Sequence, residues 1–223
     1  VTRLPPEVLV VMAKAPVPGE VKTRLAAQVG ERRACALYEA FLRDIAARLA
    51  AVPWQLVWAV DPPAADLGRL IGVVHWRIDQ RGADLGDRMR CCFEDLFTAG
   101  AERAVMIGAD APHLSEPTLR DAFAALASAD VVLVPSGDGG YCLVGLAGAH
   151  DVFSGIEMGT PRVLAQTARR VASMGLRLWL LPESFDVDEM GDVRALVRLI
   201  ATGAVRLDAT EAELRKWGAL WQG

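Results

Sequence analysis

The sequence predicts an α/β fold, a mostly parallel central sheet covered by helices on both faces. Three observations predict it. Short β-branched runs alternate with longer stretches of helical spacing, the first run is apolar on both sides, and the runs end in loops rich in glycine, proline and aspartate. Val8 to Met12 (VLVVM) reads as a buried parallel strand because no alternate position is polar. From Glu31 to Leu49, apolar residues recur at Ala34, Leu37, Tyr38, Phe41, Leu42, Ile45 and Leu49, the three-and-four spacing of an amphipathic helix. Further strands are expected at Gln55 to Val60, Val73 to Ile78, Ala104 to Ile107, Val131 to Val134, Tyr141 to Leu146 and Leu176 to Leu181. Helices are expected at Leu85 to Phe97, Pro117 to Ala127, Pro161 to Ser173, Val193 to Ile200 and Ala212 to Leu220. Ser115 and Thr160, each just ahead of a proline, are placed to cap helix starts. SGDGG splits two strands in close succession, which implies an antiparallel or crossing strand there. With no repeat or linker, residues 1–223 read as one domain.

Composition narrows the function. The chain has 223 residues, 52% hydrophobic and 23% charged, enough to bury a core. Its 24 Lys and Arg against 28 Asp and Glu give a net charge of −4, which argues against bulk attraction to nucleic acid or anionic membrane. Cys35, Cys91, Cys92 and Cys142 lack metal or redox spacing and read as reduced thiols. The apolar start, Val8 to Ala13, is far shorter than a bilayer span and lacks the flanks of a signal peptide, so a cytoplasmic protein is expected.

Polar residues collect in the loops after strands, where open α/β sheets bind ligands. Lys14 to Leu25 (KAPVPGEVKTRL) brings Lys14, Lys22 and Arg24 together with the Thr23 hydroxyl and Gly19, a set suited to a polyphosphate. It lacks the spacing of a Walker loop. Asp110, in IGADAPHL after a strand, is placed to hold Mg²⁺, a hard cation bound by one or two carboxylates and phosphate oxygens. Asp186, Asp188, Glu189 and Asp192 repel one another unless a cation relieves them. Asp186 and Asp188 share a face if extended, and Asp188 is the expected partner of Asp110. Glu189 and Asp192 suit a helix start. Asp138, among the glycines of PSGDGGY, is available to substrate hydroxyls or belongs to a hairpin turn. His113 is left outside the catalytic set.

KAPVPGEVKTRL, QRGADLGDRM, IGADAPHLS, PSGDGGYCLVGL, GTPRVLAQT and DVDEMGDV, in that order over roughly residues 7 to 195, resemble the bacterial DUF2064 family of glycosyltransferase-A-like transferases. The resemblance implies a Rossmann-like three-layer α/β/α sandwich of the nucleotide-diphospho-sugar transferase type. It implies that Lys14, Gly19, Lys22, Thr23, Arg24, Gly82 and Asp84 lie at the nucleotide and its phosphates. By the same resemblance Asp110 holds the metal, with Asp188 the second ligand expected from its own loop, while Asp138, Gly139, Gly140, Tyr141 and Thr160 face sugar or acceptor. Lys22, Asp110 and Asp138 are the expected catalytic residues. The chain departs from the family's usual WSTP at Met158 to Pro161 and from its DxDTPEDL at DVDEMGDV.

The expectation is a metal-dependent transferase, with Mg²⁺ or Mn²⁺, that uses a nucleotide-activated donor and a small-molecule acceptor. Glycosyl transfer from a nucleotide-diphospho-sugar comes first. Nucleotidyl transfer is second, because the loop ending in KTRL also resembles the KSRL opening of 2-phospholactate guanylyltransferases. A non-catalytic nucleotide-binding module is the third. Fold alone does not separate them.

Overall fold

A computed structural model describes residues 3–72 and 76–218. One seven-stranded sheet runs in the order β3-β2-β1-β4-β6-β5-β7. Its strands are β1 (Glu7–Lys14), β2 (Gln55–Asp61), β3 (Arg77–Asp79), β4 (Arg103–Gly108), β5 (Val131–Pro135), β6 (Tyr141–Leu146) and β7 (Leu178–Leu180). The described helices are α1 (Thr23–Val29), α2 (Glu31–Leu49), α3 (Gly68–Ile71), α4 (Leu85–Thr98), α5 (Glu116–Ala125), α6 (Val163–Ser173), α7 (Met190–Ala201) and α8 (Asp208–Arg215).

β1 is central, as its sequence implies. It pairs in parallel with β2 on one side and β4 on the other. Its side chains divide between two cores, since successive residues of a strand point to opposite faces. Leu9 and Val11 pack in the layer that contains α2, α5 and α7, whereas Val8 and Val10 pack with α4 and Val171 of α6. These side chains are fully buried, each contributing about 1.5–3 kcal/mol relative to exposure. The result is the three-layer sandwich. β6 is antiparallel to both β4 and β5, the expected break at SGDGG.

The chain leaves β1 toward β2 and β3, then returns on the other side to form β4. The carboxyl ends of β1 and β4 therefore flank a point where the strand order reverses and the loops diverge to open a crevice. Ser115 accepts from the Thr118 N–H at 3.2 Å and caps α5 as expected.

Several boundaries differ. α6 starts at Val163, with Arg162 as its cap, because Thr160 lies in a preceding turn and donates its hydroxyl to the Glu157 carbonyl at 2.8 Å. β3 and β7 are three-residue edge strands, and β7 is shorter than the apolar run Leu176 to Leu181 implies, since only β5 pairs with it. Residues 73–75 of the expected third strand lie outside the described residues. So do 219 and 220 of the last expected helix, which begins earlier, at Asp208. α1 and α3 are too short to carry a helical period, and the sequence reading passed over both. The four cysteines are free thiols. Among the described residues no helix is long and apolar enough to cross a membrane.

Candidate functional site

The loop after β1 turns back on itself at Lys22. Lys22 is the only non-glycine among the described residues with positive φ, at 50°, a left-handed conformation that costs an L-residue about 1–2 kcal/mol. Its side chain is 2% exposed and ends between two carboxylates, in contact with Asp110 and 3.0 Å from Asp188 Oδ1. Burial alone would depress the ammonium pKa. The two carboxylates more than offset that and hold it above its ordinary value. The three loops expected to meet do meet, on one cation.

Asp186 lies beside this cluster. Burial first, and then the field of Asp110, raise its carboxyl to about 7, while Lys22 pulls the other way and Asp188 and Asp138 add smaller increments. One ammonium leaves the three carboxylates underneutralised. Val187, between them, is fully buried, as the alternation of an extended segment requires. Glu189 and Asp192 form a capping box at the start of α7. Asp192 Oδ2 accepts from the Asp188 and Glu189 N–H groups at 2.9 and 2.8 Å, so these two acids serve the helix start.

The two acidic loops are fastened to each other. The Val187 N–H donates to the Asp110 carbonyl at 2.9 Å. His113 stacks on Phe185 with 4.0 Å between ring centroids, and its Nε2 lies 3.0 Å from the Ser184 hydroxyl. Burial, aided by Arg48, lowers its pKa to about 4, so it is a neutral wedge at physiological pH. Arg48 of α2 donates to the Pro112 and Leu114 carbonyls and pins the Asp110 loop from below.

Across the cleft Asp138 folds over its own turn. Its Oδ1 accepts from the Ser136 hydroxyl at 2.6 Å and the Gly140 N–H at 3.0 Å. Burial works against ionisation, but these bonds hold the carboxyl below its ordinary value. The segment is a turn, and Asp138 also lines the cleft. Gly139 has φ +87°, and a Cβ there would lie 2.2 Å from the Pro161 carbonyl. Its own carbonyl accepts from the Leu164 N–H at 2.9 Å, which docks the start of α6 onto the turn. The Tyr141 hydroxyl is buried, which pushes its phenol up to about 12.

These groups surround a cleft of about 380 Å³ whose lining includes Lys14, Asp110, Asp138, Gly140, Tyr141, Thr160, Asp186 and Asp188. A smaller recess of about 140 Å³ adjoins it across Asp110 and Asp188 and is lined also by Lys22, Thr23 and Arg24. Gly19, Gly82, Asp84 and Gly139 line neither. Asp84 caps α4 by accepting from the Asp87 N–H at 2.9 Å. Gly82 has φ +145° and packs so closely on Asp87 and Arg88 that a Cβ would fall 2.7 Å from backbone. Gly19 forms an exposed turn with φ +84°. Sequence reasoning missed Tyr38, Asp61, Gln80 and Ser136 in the lining. Tyr38 reads as a core position of α2, yet its hydroxyl accepts from the Lys14 N–H at 2.9 Å and fixes the end of β1.

Among the described residues, no group of three or more His, Cys, Asp and Glu side chains is placed to hold a metal. The donor chemistry nevertheless fits a hard divalent cation. Asp110 and Asp188 already converge on one positive charge with carboxylate oxygens.

Comparison with known proteins gives the chain a family and relatives of the same fold. Residues 41–160 match the family DUF2064, described as an uncharacterized protein conserved in bacteria. A crystal structure from Desulfovibrio desulfuricans G20, provisionally named a nucleotide-diphospho-sugar transferase, is 33% identical, with a TM-score of 0.90 over 97% of this chain and 96% of that one. A cytidylyltransferase from Leptospira borgpetersenii shares the fold at 13% identity and TM-score 0.59, over 98% of this chain and 97% of that one. CMP:2-keto-3-deoxy-manno-octonic acid synthetase, solved with CTP, shares it at 12% identity and TM-score 0.55, over 89% of this chain and 100% of that one. Curated proteins give no match.

Proposed function

The chain belongs to the bacterial family DUF2064, and from that premise we propose that it is a metal-dependent transferase acting on a nucleotide-diphospho-sugar. The observation that carries the reading is the meeting of Lys22, Asp110 and Asp188 where a recess lined by Thr23 and Arg24 adjoins a cleft lined by Asp138 and Thr160. The similarity to the D. desulfuricans protein supports the sugar nucleotide as donor.

Asp110 and Asp188 would hold Mg²⁺ or Mn²⁺, which supplies charge stabilisation on the diphosphate oxygens when bound. Lys14, from the cleft, and Thr23 and Arg24, from the adjoining recess, would face the same anion. Lys22 is buried against carboxylates, so its first task is to keep Asp110 and Asp188 together, a narrower role than phosphate binding. In glycosyl transfer an acceptor oxygen forms a bond to the anomeric carbon as the bond to the diphosphate breaks, and the acceptor loses its proton. Asp138, ionised and fixed by Ser136 and Gly140, offers its free oxygen to a sugar or acceptor hydroxyl and orients it. Its lowered pKa suits it to accept a hydrogen bond more than to keep a proton.

The test incubates the protein with Mg²⁺ and a panel of nucleotide sugars and nucleoside triphosphates. Binding of sugar nucleotides, with release of nucleoside diphosphate when an acceptor is added, is the expected result. Pyrophosphate release from a triphosphate with a phosphorylated acceptor would replace it with nucleotidyl transfer. Binding without any turnover would leave a nucleotide-binding module.

Asp186 gives a pH signature. Its folded pKa, about 7, lies above the unfolded value of about 3.9, so between these values the folded chain holds a proton that the unfolded chain has lost. Its contribution to stability is therefore largest at low pH and declines as pH rises toward 7. A divalent cation beside it must displace that proton. Manganese affinity, followed by titration calorimetry, should rise by up to about tenfold per pH unit below 7 and level off above. Asp186→Asn should flatten the profile, and an unchanged slope would remove Asp186 from the cation's surroundings.

A further inference from the structure

The two edges of the sheet are finished differently. An edge strand presents unpaired N–H and C=O groups to other chains, and proteins ordinarily blunt it with charge. β3 follows that rule: it consists of Arg77, Ile78 and Asp79, and its two charges pair at 3.1 Å. β7, at the opposite edge, is Leu178, Trp179 and Leu180, with no charge at all. Trp179 is 54% exposed and Leu180 52%. With Met174, at the C-cap of α6, three of the five exposed large apolar side chains among the described residues fall within residues 174–180.

The backbone of that edge is open as well. The Arg177 carbonyl accepts from the Val131 N–H at 3.1 Å, and the Leu181 N–H donates to the Leu133 carbonyl at 2.9 Å, which turns residues 177, 179 and 181 toward β5. Successive residues of a strand direct their polar groups to opposite sides, so those of Leu178 and Leu180 point away from the sheet.

We propose that this edge pairs antiparallel with the same edge of a second copy, about a two-fold axis at Leu180, to give a dimer with one sheet running through both chains. A surface that contacts itself does so about a two-fold, which sets residues equally far from the axis on either side against each other. Leu180 then exchanges both backbone hydrogen bonds with its own counterpart, Trp179 packs on Leu181, and Arg177 lies opposite Glu183. The charge match singles out the axis, since a shift of one residue either way sets Arg177 against Leu181 or Phe185. Both charges are available for it. Arg177 donates to Asp130 through Nε and one Nη, at 3.1 and 3.2 Å, which leaves donors of its fork unused. Glu183 is exposed and has no ion pair among the described residues. Pro182, without an N–H, limits the ladder beyond this match. The dimer does not depend on the nucleotide-dependent reading.

Sedimentation equilibrium of the full chain, from low to high micromolar concentration, tests this. Wild type should reach twice the chain mass and stop there. The Leu178 and Leu180 amides should exchange with deuterium more slowly in the dimer than at dilutions that leave a monomer. Leu180→Lys sets two ammonium groups face to face across the axis, so it should stay monomeric with the wild-type circular dichroism spectrum. Glu183→Lys turns both flanking attractions into repulsions and should raise the dissociation constant by about tenfold, less in high salt. Glu183 is exposed and outside the strand, so this variant carries the test even where Leu180→Lys does not fold. A wild type that remains monomeric, a dimer unchanged in both variants, or growth beyond two copies would overturn the proposal.

Discussion

Lys22→Met is expected to lower folding stability by about 3 kcal/mol at pH 7. Removing one partner of a buried ion pair costs about 3–5 kcal/mol when all charges are buried. The lower end applies here because the Asp110 and Asp188 side chains are 45% and 39% exposed. Methionine has a similar length and meets the same backbone penalty at φ 50°, so the change isolates the charge. The sign of the pH dependence follows. Without the ammonium the neighbouring carboxylates gain protons more readily, so the deficit relative to wild type should shrink as pH falls from 7 toward 4. Mg²⁺ should stabilise the variant more than wild type, since Asp110 and Asp188 are then free of their resident cation. Urea unfolding over this range, with and without Mg²⁺, provides the check. A deficit independent of both pH and Mg²⁺ would mean that Lys22 acts through packing alone.

Asp110→Asn should cost little stability and most of the activity. Asparagine keeps the side-chain shape, the Asp110 carbonyl still accepts from Val187, and Lys22 retains Asp188. What disappears is half of the charge available to a divalent cation. Removal of one preorganised electrostatic contact typically slows a reaction by about 10²–10³-fold, and a loss of that size is expected in the transfer rate at saturating Mg²⁺. Asp84→Asn, at the cap of α4 and outside the cleft, serves as the control and should leave the rate within a few-fold. Equal rates for wild type and Asp110→Asn would return Asp110 to a structural role.

The sequence reveals the strands better than it reveals their partnerships. β1 is legible because both faces are apolar, and α2 because its period persists for 19 residues. The short edge β7 is overestimated because hydrophobicity marks potential strands, whereas pairing decides their length. The loops of the site were legible from their position and charge. The role of Lys22 was not. Its partners lie 88 and 166 residues away, and nothing local says that a cation in a phosphate-like loop will be swallowed by carboxylates. Asp61 was equally silent, as an acid ending a strand looks like an ordinary solvated charge, yet it pairs with Arg88. Asp84 shows the reverse case. A resemblance placed it at the nucleotide, while its local pattern, an aspartate just before a helix, already described the cap that the structure contains.

Arg48 links the catalytic end of the sheet to the last helix. It grips the Asp110 loop, and one turn earlier on α2 the buried Asp44 accepts from the Ala209 and Thr210 N–H groups at 2.9 and 2.8 Å to seat α8. Trimming the chain before Asp208 would therefore strip Asp44 of its ligands and leave a naked anion beneath the loop that presents Asp110. A shortened version designed only to improve expression could look well folded by its secondary structure and still misplace Asp110, the group on which the proposed turnover rests.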